Sequence, residues 1–151
     1  MKPITLELLE TKHKEFGELI AKFKAEVKTQ YVFPEIEIQL AHGEHYAGAI
    51  INPDGTGNHV ILLAGDKNDG NWQEAIDWAA SIGGWLPTRR EQSLLFANLK
   101  EEFQEKWYWS SDQPASHSGY AWVQYFGYGD QHHYNKGSRC RARAVRRLVI
   151  E

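Results

Sequence analysis

The run Gly83-Gly84-Trp85-Leu86-Pro87-Thr88-Arg89-Arg90-Glu91 closes one helix and opens another within nine residues, and the rest of the chain must fit around that junction. Gly83 and Gly84 are suited to the left-handed conformation that ends a helix, because neither carries a Cβ to clash. Pro87 sets its own φ and pushes Leu86 toward an extended shape, so Trp85 and Leu86 cannot continue the helix. Thr88 and Glu91 have the spacing of a capping box, which starts the next helix.

The helix entering the junction is expected from about Asn71, with Trp72, Ala75, Ile76, Ala79 and Ala80 on one face. Asn71 and Glu74 repeat the capping-box spacing. The helix leaving it is expected from about Arg89 to Leu99, burying Leu94, Leu95 and Leu99. Upstream, Ile36, Ile38 and Leu40 alternate with Glu37 and Gln39, which predicts a half-buried strand. A second strand is expected near Tyr46 to Ile51, a turn at Asn52-Pro53-Asp54-Gly55, and a buried strand at Val60 to Leu63. Asp66 to Gly70 reads as polar loop. Downstream the pattern is that of strands: Trp107-Tyr108-Trp109-Ser110-Ser111, then Tyr120 to Phe126 with Gln131 to Asn135 as its hairpin partner across Tyr128-Gly129-Asp130. Arg139, Arg141 and Arg143 alternate with Cys140, Ala142 and Ala144, placing arginines on one strand face and small residues on the other. Val145, Leu148 and Ile150 close the chain as apolar sheet residues.

Residues from about Ile4 to Lys28 read as one helix, roughly 36 Å long. Leu6, Leu9, His13, Phe16, Ile20, Phe23 and Val27 follow one another in steps of three and four, the a/d spacing of a coiled coil. Leu8 and Leu19 widen the stripe and Gly17 weakens the helix. The stripe packs either along the chain's own domain or against further copies. Self-association into a trimer or dimer is the expectation, because phenylalanine at two d positions needs more cover than a small domain offers. Tyr31-Val32-Phe33-Pro34 punctuates the passage to the domain, giving expected units of 1–30 and 31–151. The 151 residues suit one domain plus this appendage, and 42% hydrophobic content with six tryptophans suffices for a core. A single cysteine excludes an intrachain disulfide, and the net charge of −3 gives no general attraction to nucleic acid or anionic lipid. Met1-Lys2-Pro3 leads into an acidic amphipathic run rather than a signal peptide, and no run is apolar enough to span a membrane. The expected location is cytoplasmic, or on a virion.

In order and spacing, the helix ending in Gly83-Gly84, Trp85-Leu86-Pro87-Thr88-Arg89, Trp107-Tyr108-Trp109-Ser110-Ser111, Tyr120-Ala121-Trp122 and Arg143-Ala144-Val145-Arg146-Arg147 together resemble the C-type-lectin-like domains of bacterial and phage proteins. The branch that looks most similar sits at the C-terminus of collagen-like bacterial adhesins and in prophage proteins of unassigned function. The resemblance covers roughly residues 60–149 and implies an α+β fold, two helices beside a twisted, mostly antiparallel sheet, with the N- and C-terminal strands adjacent. It also implies a ligand face on the C-terminal strands, as in related phage receptor-binding proteins. The sequence departs from the sugar-binding animal lectins of this fold, whose calcium ligands come from Glu-Pro-Asn or Gln-Pro-Asp and a later Trp-Asn-Asp. Here Gln113-Pro114 is followed by Ala115, and no Trp-Asn-Asp follows.

No catalytic residue, cofactor or metal is expected. His117, His132 and His133 suggest a metal, but adjacent strand residues point to opposite faces. Cys140 lies on the small, inward strand face, the position of a structural cysteine rather than a nucleophile. The same residue separates the chain in function from the formylglycine-generating oxidases, which share the general fold and depend on a reactive cysteine pair. The arginines between Arg139 and Arg147 read either as a nucleic-acid stripe or as ion-pair partners of Glu101, Glu102, Glu105 or Asp112. The preferred site is a polar, aromatic, glycine-spaced stretch comprising Tyr125, Tyr128, Asp130, Gln131, His132, His133, Tyr134, Asn135 and Lys136. The expected function is a non-enzymatic module, phage or prophage encoded, that binds a protein or glycan without a metal. An intracellular interaction protein that inhibits a host protein is the alternative, and an enzyme on the same general fold comes third.

Overall fold

A computed structural model describes residues 4–26 and 35–151, which fall in two units, Met1–Phe33 and Pro34–Glu151. The first contains helix α1, Leu6–Glu26, opened by Thr5, whose hydroxyl accepts a hydrogen bond from the Leu8 N–H at 3.3 Å. None of its residues is buried. Val27, Lys28 and the Tyr31-Val32-Phe33-Pro34 break lie outside the described residues. No described helix is long and apolar enough to cross a membrane.

The second unit is α+β. Strands β1 (His45–Ile51) and β2 (Gly57–Leu62) form a hairpin closed by Asn52-Pro53-Asp54-Gly55, where Gly55 takes φ +88° and donates to the Asn52 carbonyl at 2.9 Å. β3 (Lys67–Gly70) leads to α2 (Trp72–Ser81) and α3 (Arg89–Leu99), followed by a 3-10 turn at Lys100–Glu102. Five further strands follow: β4 (Trp107–Trp109), β5 (Tyr120–Tyr125), β6 (Gln131–Asn135), β7 (Cys140–Ala142) and β8 (Val145–Val149). They build a three-stranded sheet, β1-β2-β8, and a five-stranded sheet, β3-β7-β4-β5-β6, antiparallel except where β4 meets β7. The C-terminal strand β8 therefore lies beside β2, the first strand of the stretch that carries the resemblance, and β1 is added at the sheet edge.

The junction joins both helices to the three-stranded sheet. Gly83 takes φ +81° and donates to the Ala80 carbonyl at 3.0 Å, while Gly84 donates to Ala79 at 2.9 Å, the paired bonds of a Schellman motif. Trp85 then exchanges two backbone hydrogen bonds with Val145, at 3.0 and 2.9 Å, so the extended link becomes a short bridge to β8. Both capping boxes form, Asn71 with Glu74 and Thr88 with Glu91. α2 buries Ala75 and Ala79 with Leu63, Leu86, Trp109, Ala121 and Val123, whereas Ala80 faces solvent. α3 buries Leu95 and Leu99 with Ala47, Val60, Leu62, Tyr108, Phe126 and Val145 in a second cluster.

Two segments differ from the sequence reading. Ile36 to Leu40 forms no strand, and Ile36 and Leu40 are exposed. Their alternation needs a neighbouring strand to become a ladder; instead the segment is held by side chains, with Arg146 donating to the Gln39 carbonyl at 2.9 Å. Lys67 to Gly70, read as loop, is the edge strand β3, paired with β7 through Lys67↔Ala142 and Gly70↔Cys140.

The C-terminal arginines are structural, with partners other than those expected. Arg139 meets Asp69 at 2.7 Å, Arg141 meets Asp66 at 3.0 Å, Arg146 meets Glu44 at 2.8 Å and Arg147 meets Glu91 at 2.6 Å. Arg143 is buried where the chain passes from β7 to β8, and donates to the Glu102 and Leu63 carbonyls. Burial pulls its pKa below the usual guanidinium value. The hydrogen bond from Arg146 holds the Glu44 carboxyl below its ordinary value of 4.5, helped by the Ala41 N–H and opposed by desolvation. A depressed carboxylate stabilises the fold above its unfolded pKa and loses that contribution as pH falls through the folded one. Glu44→Gln is therefore expected to cost no more than about 1 kcal/mol at neutral pH. The gap to wild type should close on acidification, as read from thermal melts across the carboxylate range.

Candidate functional site

The β5–β6 hairpin pairs Ala121 with Tyr134, Trp122 with His133, Val123 with His132 and Gln124 with Gln131. Side chains alternate across a sheet, so the expected site residues divide between two faces. Tyr125, His132 and Tyr134 share a face with Trp107, Trp109 and Val123. Gln131, His133 and Asn135 share the other with Trp122 and Gln124. Asp130 is exposed where the turn enters β6, and Tyr128 stands at the turn, 82% exposed. Lys136 lies over the Trp72 ring at 4.5 Å and donates to the Gln113 side chain at 2.6 Å.

On the first face, Trp109, Ala121 and Val123 are buried in one cluster with Ala75 and Ala79 of α2, and Trp107 and Tyr134, only partly buried, pack against that cluster and begin a row of rings. Trp107 is its centre, with ring centroids 5.3 Å from Tyr125, 5.6 Å from His132 and 5.2 Å from Tyr134. Tyr125 passes the row on to Tyr128 at 5.7 Å. Beside Trp107 and Tyr134 opens a cavity of about 290 Å³, also lined by Lys106, Asn68, Asp69, Arg139, Cys140 and Arg141. Half-buried indole and phenol rings next to charged groups combine a large apolar contact with fixed polar ends, the composition of adaptable binding surfaces. Burial, with Cys140 adding a little, raises the Tyr134 phenol pKa, so that side chain stays neutral and can donate a hydrogen bond.

The second face is tied up internally. The Arg89 guanidinium lies 3.5 Å from the Trp122 ring centre, and Arg89 Nε donates to Gln131 Oε1 at 2.9 Å. Gln131 Nε2 donates to the Arg89 carbonyl at 2.9 Å and to Gln124 Oε1 at 2.7 Å, and Gln124 donates to the Gln92 carbonyl. Gln131 thus stitches β6 to α3. His133 packs edge-on against Trp122 and Tyr120, and stacks on His117 at 5.8 Å.

His132 and His133 point to opposite faces, and no group of three or more His, Cys, Asp or Glu that could hold a metal occurs among the described residues. Cys140 is buried, and burial with the nearby Asp69 charge pushes its thiol up to about 11. A thiol so raised stays protonated at neutral pH, the state that does not attack electrophiles. No protein-family model matches this chain, and no curated protein matches it either. Trp107 and Lys106 were absent from the expected site. An aromatic three-residue strand reads as core, and Lys106 reads as ordinary exposed charge, until their distance from the hairpin in space is known.

Proposed function

We propose that the unit Pro34–Glu151 is a non-enzymatic C-type-lectin-like binding module of the kind phage and prophage proteins carry. Its ligand is a protein or a glycan, taken without a metal on the face of Trp107, Tyr125, Tyr128, His132 and Tyr134. The observation that carries this reading is the row of half-buried and exposed rings centred on Trp107, which borders the charged cavity. The linked motifs between Gly83 and Arg147 support the fold assignment, with two helices and a mostly antiparallel five-stranded sheet in keeping. The Trp122 face is the weaker candidate because Arg89 already occupies its ring.

Tyr128 and His132 are both exposed, and truncation at exposed positions usually changes stability by less than about 0.5 kcal/mol each. Aromatic anchors of a binding face cost about 2 kcal/mol or more in affinity. The wild type and Tyr128→Ala/His132→Ala are to be probed on a glycan array and against a displayed peptide library, with and without chelator, each protein checked by thermal melt. Binding by the wild type that survives chelation and is lost in the variant, at unchanged melting temperature, is the expected result. Undiminished binding by the variant would move the site to the Trp122 face, and binding abolished by chelator would refute the metal-free reading.

A further inference from the structure

Helix α1 carries an apolar stripe that its own unit leaves exposed among the described residues: Leu6, Leu9, Phe16, Ile20 and Phe23, with Phe16 exposed by 66% and Phe23 by 69%. Helices in proteins draw most of their stability from packing an amphipathic face, so the stripe calls for a partner. We propose that the partner is α1 of a second copy, and that the two helices run antiparallel in one register fixed by charge. In the heptad, Leu6, His13 and Ile20 hold a positions and Leu9, Phe16 and Phe23 hold d positions. The flanking e positions are then Glu10, Gly17 and Lys24, and the g positions are Thr5, Lys12, Leu19 and Glu26.

A parallel pair, or a parallel trimer, sets each g residue against the e residue of the next heptad on a neighbouring helix. That gives Thr5 with Glu10, Lys12 with Gly17 and Leu19 with Lys24, and none of these joins opposite charges. An antiparallel pair sets a against d in the core, e against e on one flank and g against g on the other. With Ile20 against the partner's Phe16 and His13 against the partner's Phe23, Glu10 meets the partner's Lys24 and Lys12 meets the partner's Glu26. Each contact occurs twice by the two-fold symmetry. The same register sets Leu19 against the partner's Leu19, which absorbs the leucine that widens the stripe, and brings Gly17 to the partner's Gly17 where the helices cross the dyad. Sliding one helix by a heptad replaces these contacts with Glu10–Gly17, Lys12–Leu19 and Thr5–Glu26, and every charge pair is lost. Lys12 and Glu26 also have neighbours within their own helix, Glu15 at 2.7 Å and Lys22 at 4.0 Å, all four side chains exposed. The interchain pairs therefore extend charge rows already present on the helix flanks.

The consequence for the chain is geometric. The Glu26 ends of the two helices lie roughly 24 Å apart along the bundle, and the chains leave it in opposite directions. A parallel trimer would send its chains out from one end.

The test uses the full-length chain in sedimentation equilibrium. Wild type is expected to be a dimer. Glu10→Lys alone and Lys24→Glu alone each turn two attractive contacts into repulsive ones and should weaken the dimer about tenfold. Glu10→Lys/Lys24→Glu restores opposite charges only across an antiparallel pair, and should return to near wild-type affinity. Separately, mixing Lys12→Cys with Glu26→Cys under mild oxidation should give the mixed disulfide dimer, the native Cys140 being buried. A monomer at all concentrations, a trimer, a double variant no better than the singles, or absence of the mixed disulfide would each overturn the proposal.

Discussion

Arg147→Met is expected to destabilise the second unit by about 3–5 kcal/mol, the cost of leaving a buried charge without its partner. Glu91 sits in the first turn of α3, 5% exposed, and both of its carboxylate oxygens are engaged by Arg147, at 2.6 and 2.8 Å. One of them, Oε2, also accepts the Thr88 N–H at 2.8 Å, so the capping carboxylate and the ion-pair carboxylate are the same group. Removing the guanidinium leaves Oε1 desolvated and without a donor, while methionine fills much of the volume. The guanidinium also reaches the Leu86 carbonyl at 3.4 Å, so one side chain on β8 holds both the extended link and the helix start. In urea titrations Glu91→Gln/Arg147→Met should be clearly more stable than Arg147→Met alone, because the uncompensated charge is gone and the amide can still cap. A single variant within about 1 kcal/mol of wild type would show that water reaches the carboxylate and that the pair behaves as a surface one.

That pair shows where local sequence stops informing. The Thr88 and Glu91 spacing announces a helix start, because capping bonds span only three residues, and Asn71 with Glu74 does so for α2. The β5–β6 hairpin is legible for the same reason, since its turn and alternation are contiguous. Nothing within reach of Arg147 along the chain points to a glutamate 56 residues earlier. Likewise Arg139 finds Asp69 only because β7 pairs with β3, and β3 itself has no apolar alternation to mark it. Ile36 to Leu40 shows the converse: the alternation is there, but the segment meets β8 through side chains and pairs with no described strand, so no ladder forms. Ion pairs and edge strands are properties of the assembled sheet, and sequence periodicity records only which side of an element is covered.

The candidate site divides the same way. The richness of Tyr, His, Asn and Gln between Tyr125 and Lys136 is visible in composition. The split of those residues between two faces follows from strand alternation alone. What the sequence does not contain is which face meets α2, and that decides the outcome. Ala75 and Ala79 of α2 share a buried cluster with Val123 and Trp109, while Trp107 at the margin of that cluster stays partly exposed and gathers Tyr125, His132 and Tyr134. On the opposite face Arg89, the first residue of α3, covers Trp122 instead.

The junction glycines should separate sharply on substitution, although they are adjacent and both end the same helix. Gly83 has φ +81°, and a Cβ there would meet nothing within 4 Å. Gly83→Ala is therefore a backbone cost only, about 1 kcal/mol for holding an L-residue in the left-handed region. Gly84 has no positive φ, so conformational freedom, the property that marks it in the sequence, is not what its position uses. A Cβ at Gly84 would stand 2.5 Å from Leu63 Cδ1, 2.9 Å from the Val145 carbonyl oxygen and 3.3 Å from Ala144 Cβ. Leu63 belongs to the buried cluster under α2, and Val145 is held by two backbone hydrogen bonds to Trp85, so neither neighbour can retreat without breaking something else. Gly84→Ala should then cost more than Gly83→Ala, about 2–3 kcal/mol, and Gly84→Val more again, with a Tm lowered by roughly 10 °C or more. Thermal melts of the three variants decide it. Equal losses at the two glycines would mean that Leu63 and β8 give way together, and that the close approach of the junction to the sheet is not rigid.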